Sequence, residues 1–298
     1  MSWLIVAILA YFILAVVSLG DKYLLSGAPN PKVYSFYVGL LSSLTFLLIP
    51  FVGLYNPGVW QIILSLVSGI ISIAALYFLF TGLENFEASR VIPSIGAMTP
   101  VFTFLFSFLF FGEVLSVRNI LAFFFLLLGG VIISYNKKVD IPLSSLVVTS
   151  LAAAFFALHF VLSKYIYLEQ SFWNGFIIMR MGALIVSFFL VFTKDVREEI
   201  FSKKSAFNRK TGSFFVVNQG AGAGAFVMQH FSIYLAGPIY LPIIAALQGT
   251  QYAFLFVMTI LLSLKTPWII KEEVKGNIVF QKTLAIIIIV LGLVILNV

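Results

Sequence analysis

The stretch Phe80-Thr-Gly-Leu83, which ends one apolar run, has a counterpart in Ser232-Ile-Tyr-Leu235, 152 positions further along the chain (235 − 83). Two other matches occur at offsets of 142 (164 − 22) and 162 (292 − 130): Lys22-Tyr23 with Lys164-Tyr165, and Gly130 with Gly292. The offset grows by ten at each of two polar segments, 194–210 and 265–282. Insertions belong in loops. The pattern therefore predicts two copies of one structural unit.

The composition predicts that the solvent of this chain is a lipid bilayer. The 298 residues are 61% hydrophobic and 10% charged, against roughly 45–50% apolar residues in an ordinary soluble domain. The formal net charge is +7, but the basic residues lie between apolar runs rather than on a tail or one face, so no nucleic-acid partner is expected. The chain has no cysteine, which excludes disulfides and thiolate chemistry.

Charges, prolines and glycines bound ten apolar runs of about 20 residues, the length that crosses a bilayer as a helix. The runs are 3–22, 33–54, 59–82, 89–111, 117–135, 143–166, 171–192, 213–236, 240–263 and 280–297. The predicted fold is an all-α integral membrane protein with ten transmembrane helices in two five-helix repeats, residues 1–138 and 139–298. Five crossings per repeat invert one copy relative to the other about an axis in the membrane plane.

Basic residues in the connecting segments predict the orientation. Of the 18 lysines and arginines, only Arg118 and Lys164 fall on the even-numbered loop side and only Arg180 lies deep inside a span, which leaves 15 (18 − 3) for the odd-numbered loops. Because positive charge is retained in the cytoplasm, we expect the odd-numbered loops there and both termini outside.

The segment Glu87-Ala-Ser-Arg-Val-Ile-Pro-Ser-Ile-Gly-Ala-Met-Thr-Pro-Val-Phe102, followed by Gly112-Glu113, resembles the EamA-type family of the drug/metabolite transporter superfamily. That family has a proline in its fourth span and a Gly-Glu pair after it. A looser second copy runs from Gly237 to Gln248 and on to Glu272-Glu273, which replaces the second Gly-Glu pair. The resemblance covers nearly the whole chain. It implies ten helices, two inverted repeats and a central cavity for a small solute that is usually exported.

The fourth and ninth spans share a polar stripe. Under the offset of 152, the stripe Gly96, Thr99, Pro100 corresponds to Gln248, Gln251, Tyr252. Both have i, i+3, i+4 spacing, which places three side chains on one helix face. An unpaired carboxamide in hydrocarbon is costly, so we predict that Thr99, Gln248, Gln251 and Tyr252 line a substrate cavity. Hydrogen bonding between packed helices is the alternative.

Arg180 is the most expensive residue to place in a bilayer. It lies about nine residues into the seventh span, roughly 13 Å deep at about 1.5 Å per residue. Arginine at that depth costs about 2.5–3.5 kcal/mol even on a permissive scale, so it needs water or an anionic partner. A substrate carboxylate or phosphate is one candidate partner. Asp21 or Glu84 from another helix is the structural alternative.

Gln229 and His230 are neighbours in the eighth span, and Tyr77 corresponds to Gln229 under the repeat. We predict that these three also border the cavity. His230 either carries a coupled proton, since imidazole titrates near neutral pH, or is a neutral histidine bonded to one neighbour. His159 is predicted near the membrane interface, far from His230.

These observations favour a secondary transporter in the inner (plasma) membrane that exports a small polar or amphipathic metabolite. A coupled proton, a counter-substrate and a homodimer are all compatible with it. No Gly-x-x-x-x-Gly-Lys-Ser/Thr motif is present, so nucleotide hydrolysis is not expected to drive transport. Two separated histidines, no cysteine and 11 mostly loop acidic residues predict neither an enzyme nor a metal or cofactor site. A lipid-headgroup flippase and a structural membrane protein remain alternatives.

Overall fold

A computed structural model describes residues 2–24, 31–86, 88–135, 143–201, 209–265 and 276–297, and every regular element among them is helical. The first half contains α1 (Ser2–Leu24), α2 (Pro31–Leu41), α3 (Ile49–Val52), α4 (Val59–Asn85), α5 (Ala88–Phe111) and α6 (Val117–Ser134). The second half contains α7 (Leu143–Glu169), α8 (Phe172–Leu190), α9 (Lys194–Phe201), α10 (Arg209–Leu235), α11 (Leu241–Ala246), α12 (Gln248–Lys265) and α13 (Gly276–Asn297). Two 3₁₀ segments complete the crossings, Ser42–Leu48 between α2 and α3 and Pro238–Tyr240 before α11.

The helices coincide with the predicted spans. Nine segments of the described residues are long and apolar enough to cross a membrane. The remaining predicted span is α10, which has 27 residues and is therefore about 40 Å long at about 1.5 Å per residue. It is less apolar because it carries Asn218, Gln219, Gln229 and His230. The all-α membrane fold is confirmed.

Glycines set the closest helix crossings, which is how membrane helices approach without a hydrophobic driving force between them. A Cβ built on Gly69 of α4 would overlap the carbonyl oxygen of Met179, and one on Gly182 of α8 would overlap that of Leu66. On α13, a Cβ on Gly292 would lie 3.1 Å from the carbonyl oxygen of Ala122. The pairs α4–α8 and α6–α13 are therefore in backbone contact.

The centre of the molecule is α7, which packs against α4 and α5 of the first half and contacts α10. It contains buried polar residues as well as apolar ones, including Thr149, His159, Ser163 and Lys164. On the other side, α1 packs along α10. These contacts make α7 and α10 the two helices that position the polar centre described below.

The polar segment 194–210 begins with α9, and residues 202–208 lie outside the described part. The Lys32 Nζ donates to Asp195 Oδ2 at 2.6 Å, which joins the start of α2 to α9. This hydrogen bond lowers the pKa of the Asp195 carboxyl and raises the pKa of Lys32. Val196 of α9 is fully buried, so the helix packs against the bundle.

Candidate functional site

Arg180 lies near the middle of α8 and is 7% exposed. Its guanidinium carbon is 5.1 Å from the ring centre of Phe176 and 4.6 Å from that of Phe226. Cation–π contacts of this kind contribute up to about 2 kcal/mol when desolvated, but a ring face offers no hydrogen-bond acceptor to the N–H groups at the edge. The Nε and Nη2 atoms are buried without a hydrogen-bond partner among the described residues.

These two nitrogens form one edge of the planar guanidinium. Their parallel N–H bonds match the two oxygens of a carboxylate or a phosphate, the bidentate arrangement for which arginine is preferred over lysine. Arg180 therefore presents an edge of unpaired hydrogen-bond donors, within the described part of the chain, at membrane depth.

The structural alternative for this arginine was a carboxylate of the protein itself. Glu84 is exposed at the end of α4 and forms no ion pair with Arg180. The ion pairs within the described part are Lys32–Asp195 and Lys194–Glu198, both at the surface. Pairing with Glu84 is therefore excluded, and the side chain of Asp21 lies outside the described part.

A chain of four hydrogen-bonded residues, which we call the histidine chain, crosses the centre of the molecule. The Tyr167 hydroxyl lies 3.1 Å from His230 Nδ1, and His230 Nε2 lies 3.2 Å from His159 Nε2. His159 Nδ1 then lies 3.0 Å from the Ser68 carbonyl oxygen and 2.9 Å from the Ser68 hydroxyl. All four residues are buried. Three helices, α4, α7 and α10, supply the chain.

The prediction that His159 lies near the membrane interface and far from His230 was wrong. It rested on Lys164 as a residue at the end of the sixth span. The Nζ of Lys164 donates to the Tyr234 carbonyl oxygen at 3.0 Å and the residue is 4% exposed. Because this lysine is satisfied inside the protein, α7 continues to Glu169 and His159 lies deeper than expected.

Arg180 and the histidine chain share one aromatic cage. The His230 ring centre lies 5.4 Å from that of Phe176 and 4.5 Å from that of Phe226, the same two rings that contact Arg180. The structure therefore brings two of the predicted site residues, Arg180 and His230, together.

The predicted carboxamides have partners in other helices. Gln251 Nε2 lies 3.3 Å from the Ser18 hydroxyl of α1, and Gln229 Nε2 lies 3.1 Å from the Tyr11 hydroxyl of the same helix. Tyr11 in turn donates to the Ile244 carbonyl oxygen of α11 at 2.9 Å. These bonds join α1 to α10, α11 and α12, as the helix-packing alternative requires.

The remaining stripe residues meet at the crossing of α12 with α5. Gln248 Nε2 donates to the Tyr252 hydroxyl at 3.2 Å, and this hydroxyl lies 3.3 Å from the Ile92 carbonyl oxygen. Gly96 leaves room for the tyrosine, since a Cβ there would lie 2.5 Å from the same hydroxyl. Thr99 bonds within its own helix, to the Ile95 carbonyl oxygen at 2.8 Å.

Tyr77 stands apart from both groups. Its ring contacts Phe78 edge-on, and no contact with Gln229 or Arg180 is seen in the described part. The predicted residues thus divide into Arg180 with His230, the glutamine and tyrosine stripe, and Tyr77. The sequence neighbours Gln229 and His230 connect the first two groups. Gln229 binds α1 and His230 binds α7.

Sequence reasoning missed three members of the histidine chain, Ser68, His159 and Tyr167. His159 and Tyr167 are two turns apart on α7, and Ser68 lies on α4. Each is unremarkable within its own span, and only the contacts between α4, α7 and α10 join them.

A cavity of about 340 Å³ lies elsewhere, at the end of α4 nearest Tyr55 and Pro57, with Leu66, Ile178 and Met181 in its wall. None of the predicted site residues lines it.

Comparison with known proteins supports this architecture. The curated proteins give no match. One matching crystal structure of a protein aligns with 98% of this chain and 93% of its own at a TM-score of 0.66 and 15% identity, a likeness of fold alone. Residues 1–135, which include α1 to α6, match the EamA-like transporter family. Over those residues the chain is similar to the EamA-like transporter family, which is part of the drug/metabolite transporter superfamily.

Proposed function

We propose that this protein is a secondary transporter, not an enzyme, that exports a small polar or amphipathic metabolite with an anionic group across the plasma membrane. The substrate would pass between two inverted halves, residues 1–138 and 139–298, and meet Arg180 on its way. The observation that carries the proposal is the edge of Arg180, whose buried Nε and Nη2 have no hydrogen-bond partner among the described residues.

The cost of this arrangement favours a functional explanation. A buried donor without a partner costs about 1–3 kcal/mol, and more when it is charged. The protein offsets only part of that cost with Phe176 and Phe226. A bound carboxylate or phosphate would supply the missing acceptors, each charge-assisted bond contributing about 1.5–3 kcal/mol. When an anion binds, the buried N–H groups of Arg180 gain acceptors, and this gain contributes to the binding free energy.

The aromatic cage also indicates the chemistry of the part of the substrate that carries the anionic group. Next to the Nε–Nη2 edge of Arg180 lie Phe176 and Phe226, and Phe172 and Trp173 lie against Phe176. Such surroundings favour an amphipathic acid, with an apolar part against the rings and the anionic group on Arg180. The stripe residues Thr99, Gln248 and Tyr252, with Tyr77, are proposed as the polar wall of the path. Gln229 and Gln251 are proposed to hold α10 and α12 against α1 beside it.

Transport by purified protein in liposomes tests the proposal. Vesicles are loaded with the soluble metabolites of a cell extract, and the contents retained are measured by mass spectrometry. Wild type should release anionic metabolites, and Arg180→Gln should release none while keeping near-normal folded yield. Arg118→Gln is the matched control, because Arg118 is exposed and binds only the Leu296 carbonyl oxygen on α13, at 3.0 Å.

Two results would contradict the proposal. Release of the same anions by Arg180→Gln would remove Arg180 from the path. A collapse of folded yield in Arg180→Gln would mean that the arginine pairs with a structural carboxylate, whose charge the substitution strands.

A lipid-headgroup flippase is the second candidate, because one observation favours sideways access. A Cβ on Gly220 or Gly224 of α10 would meet no atom within 4 Å, and Val216 and Val217 nearby are largely exposed. This face of α10 is therefore uncovered in the described part of the chain. Transfer of a fluorescent phospholipid between the leaflets of the same vesicles distinguishes a flippase from a metabolite exporter. Only a flippase would move the lipid in wild type and fail to move it in Arg180→Gln.

A further inference from the structure

We infer that His159 and His230 form one proton-binding site, and that the site takes up its proton together with an anion at Arg180. The anion half of this inference rests on the proposed function, and the proton half does not.

The hydrogen-bond pattern favours one placement of the protons in the resting chain. We assign the proton of neutral His159 to Nδ1, because the Ser68 carbonyl oxygen at 3.0 Å can only accept, whereas the Ser68 hydroxyl at 2.9 Å can accept as well as donate. In a neutral ring, Nε2 of His159 is then an acceptor, and His230 Nε2, 3.2 Å away, must donate to it. His230 Nδ1 is left as the acceptor for the Tyr167 hydroxyl at 3.1 Å. The two neutral histidines therefore hold opposite tautomers.

The same chain can accommodate one additional proton. An incoming proton binds the Tyr167 oxygen as that hydroxyl passes its own proton to His230 Nδ1. His230 then passes its Nε2 proton to His159 Nε2. Three bonds to hydrogen form and two break, so one proton is gained and His159 becomes the cation. It still donates through Nδ1 to Ser68 and now donates through Nε2 to His230, so no ring nitrogen loses its partner.

The charge of Arg180 controls whether the histidine pair can hold this additional proton. The other charged group of the cage is its guanidinium, which shares Phe176 and Phe226 with His230. Two positive charges in one buried cluster repel strongly in a medium of low dielectric constant. An anion on the Nε–Nη2 edge of Arg180 would cancel this repulsion, so binding of the anion and of the proton should each favour the other by the same factor.

Besides Arg180, the charged residues nearest in sequence to the histidine chain within the described residues are Lys164 and Glu169 of α7, on either side of Tyr167. The Lys164 Nζ donates to the Tyr234 carbonyl oxygen, and Glu169 is exposed. From α4 the chain is faced by Ser68, from α7 by Tyr167 and from α8 by Arg180. On α10 the neighbouring Gln229 is uncharged and bonded to Tyr11 of α1. Helix α11 contains no ionisable residue, and α5 has only Arg90, in its first turn.

Nitrogen NMR of the histidine rings tests the inference directly, because the chain has only two histidines. In purified wild type labelled with ¹⁵N-histidine, we expect one ring protonated at Nδ1 and the other at Nε2, with His230→Gln assigning the His159 signals. In Arg180→Gln the pair should gain one proton at a pH where the wild-type pair stays neutral. Arg118→Gln should behave as wild type.

The link to an anion is tested on wild type with benzoate, which has an apolar ring and a carboxylate, and with benzamide as the uncharged control. We expect benzoate to bring one proton onto the pair and benzamide to bring none. Proton gain in Arg180→Gln without any response to benzoate would support the proton site and count against the anion at Arg180.

Two results would overturn the proton site itself. One is the same tautomer in both wild-type rings, a measurement that needs no variant to fold. The other is an identical titration of the pair in wild type and in folded Arg180→Gln.

Discussion

At the residue scale, the polar side chains of the membrane interior differ in whether their hydrogen bonds are complete. Gln229 and Gln251 each have a partner on α1, and Lys164 binds a backbone carbonyl. Two buried nitrogens of Arg180 have no partner within the part of the chain that the structure describes. Satisfied groups hold helices together, whereas an unsatisfied charged group at such depth is better explained by a ligand that completes it.

This difference predicts a mild effect for Gln229→Leu. The substitution removes the bond to Tyr11, but Tyr11 still donates to the Ile244 carbonyl oxygen. Interhelical side-chain bonds in membranes average about 0.6 kcal/mol, so we expect a small loss of unfolding free energy and near-normal transport. Thermal unfolding in detergent and vesicle release measure both. Complete loss of transport with normal stability would instead place Gln229 in the binding site.

At the element scale, the crossing of α4 with α8 places Arg180 against its cage. Gly69 and Gly182 allow the two backbones to touch, and a methyl group at either glycine would overlap a carbonyl oxygen of the partner helix. The neighbouring helices cannot move apart without shifting Arg180, which lies two residues before Gly182. The packing of this pair is therefore expected to matter to both stability and transport.

We predict that Gly182→Ala destabilises the protein. Overpacking a tight contact costs about 1–3 kcal/mol, which exceeds the roughly 0.5–1 kcal/mol gained by replacing glycine with alanine in a helix. Gly220→Ala is the matched control, because a Cβ there meets no atom within 4 Å. The thermal unfolding midpoint should fall for Gly182→Ala and stay or rise for the control. Equal midpoints would show that the crossing is looser than described.

The contact of α2 with α9 predicts a pH dependence outside the membrane. The pKa of the Asp195 carboxyl is lowered by the hydrogen bond from Lys32. The pair's contribution to the stability of the contact between α2 and α9 is therefore fully present above the ordinary aspartate pKa of about 3.9. It is lost as the pH falls through the lowered value. Because the pKa of Lys32 is raised, the contribution persists to above the ordinary lysine value of about 10.4.

Hydrogen exchange of the α9 amides, corrected for its intrinsic pH dependence, measures this contact. Asp195→Asn should raise exchange at pH 7 by a few-fold at most, since exposed ion pairs contribute little. In this variant the exchange rate of the α9 amides should not rise further when the pH is lowered. A wild-type protein whose α9 exchange did not change on acidification would contradict the assignment.

At the scale of the whole molecule, the helices were predictable and the central contacts were not. Runs of about 20 apolar residues leave few choices in a bilayer, and the stripe spacing correctly placed Gln248 and Tyr252 on one face. Nothing within α7 alone shows that His159 meets His230, 71 positions away. The position predicted for His159 was wrong because a lysine in a span usually marks the end of that span, whereas here a backbone carbonyl of α10 accepts a hydrogen bond from Lys164.

The orientation of the molecule remains a proposal that a reporter can test. The odd-numbered loops hold 15 basic residues, against Arg118 and Lys164 on the even-numbered loop side. This charge bias favours cytoplasmic odd-numbered loops and termini outside the cytoplasm. A reporter enzyme fused to the C-terminus should be active only on the extracytoplasmic side, and activity in the cytoplasm would reverse the assignment.

The central claim is that this protein exports an anion recognised by Arg180. The most direct measurement compares the metabolites released by cells that lack the gene, cells that carry it and cells that carry Arg180→Gln at equal membrane abundance. We predict that the medium of wild-type cells is enriched in one or a few amphipathic acids, and that both other cultures lack this enrichment. Enrichment of neutral or cationic compounds, or of the same acids with Arg180→Gln, would contradict the account.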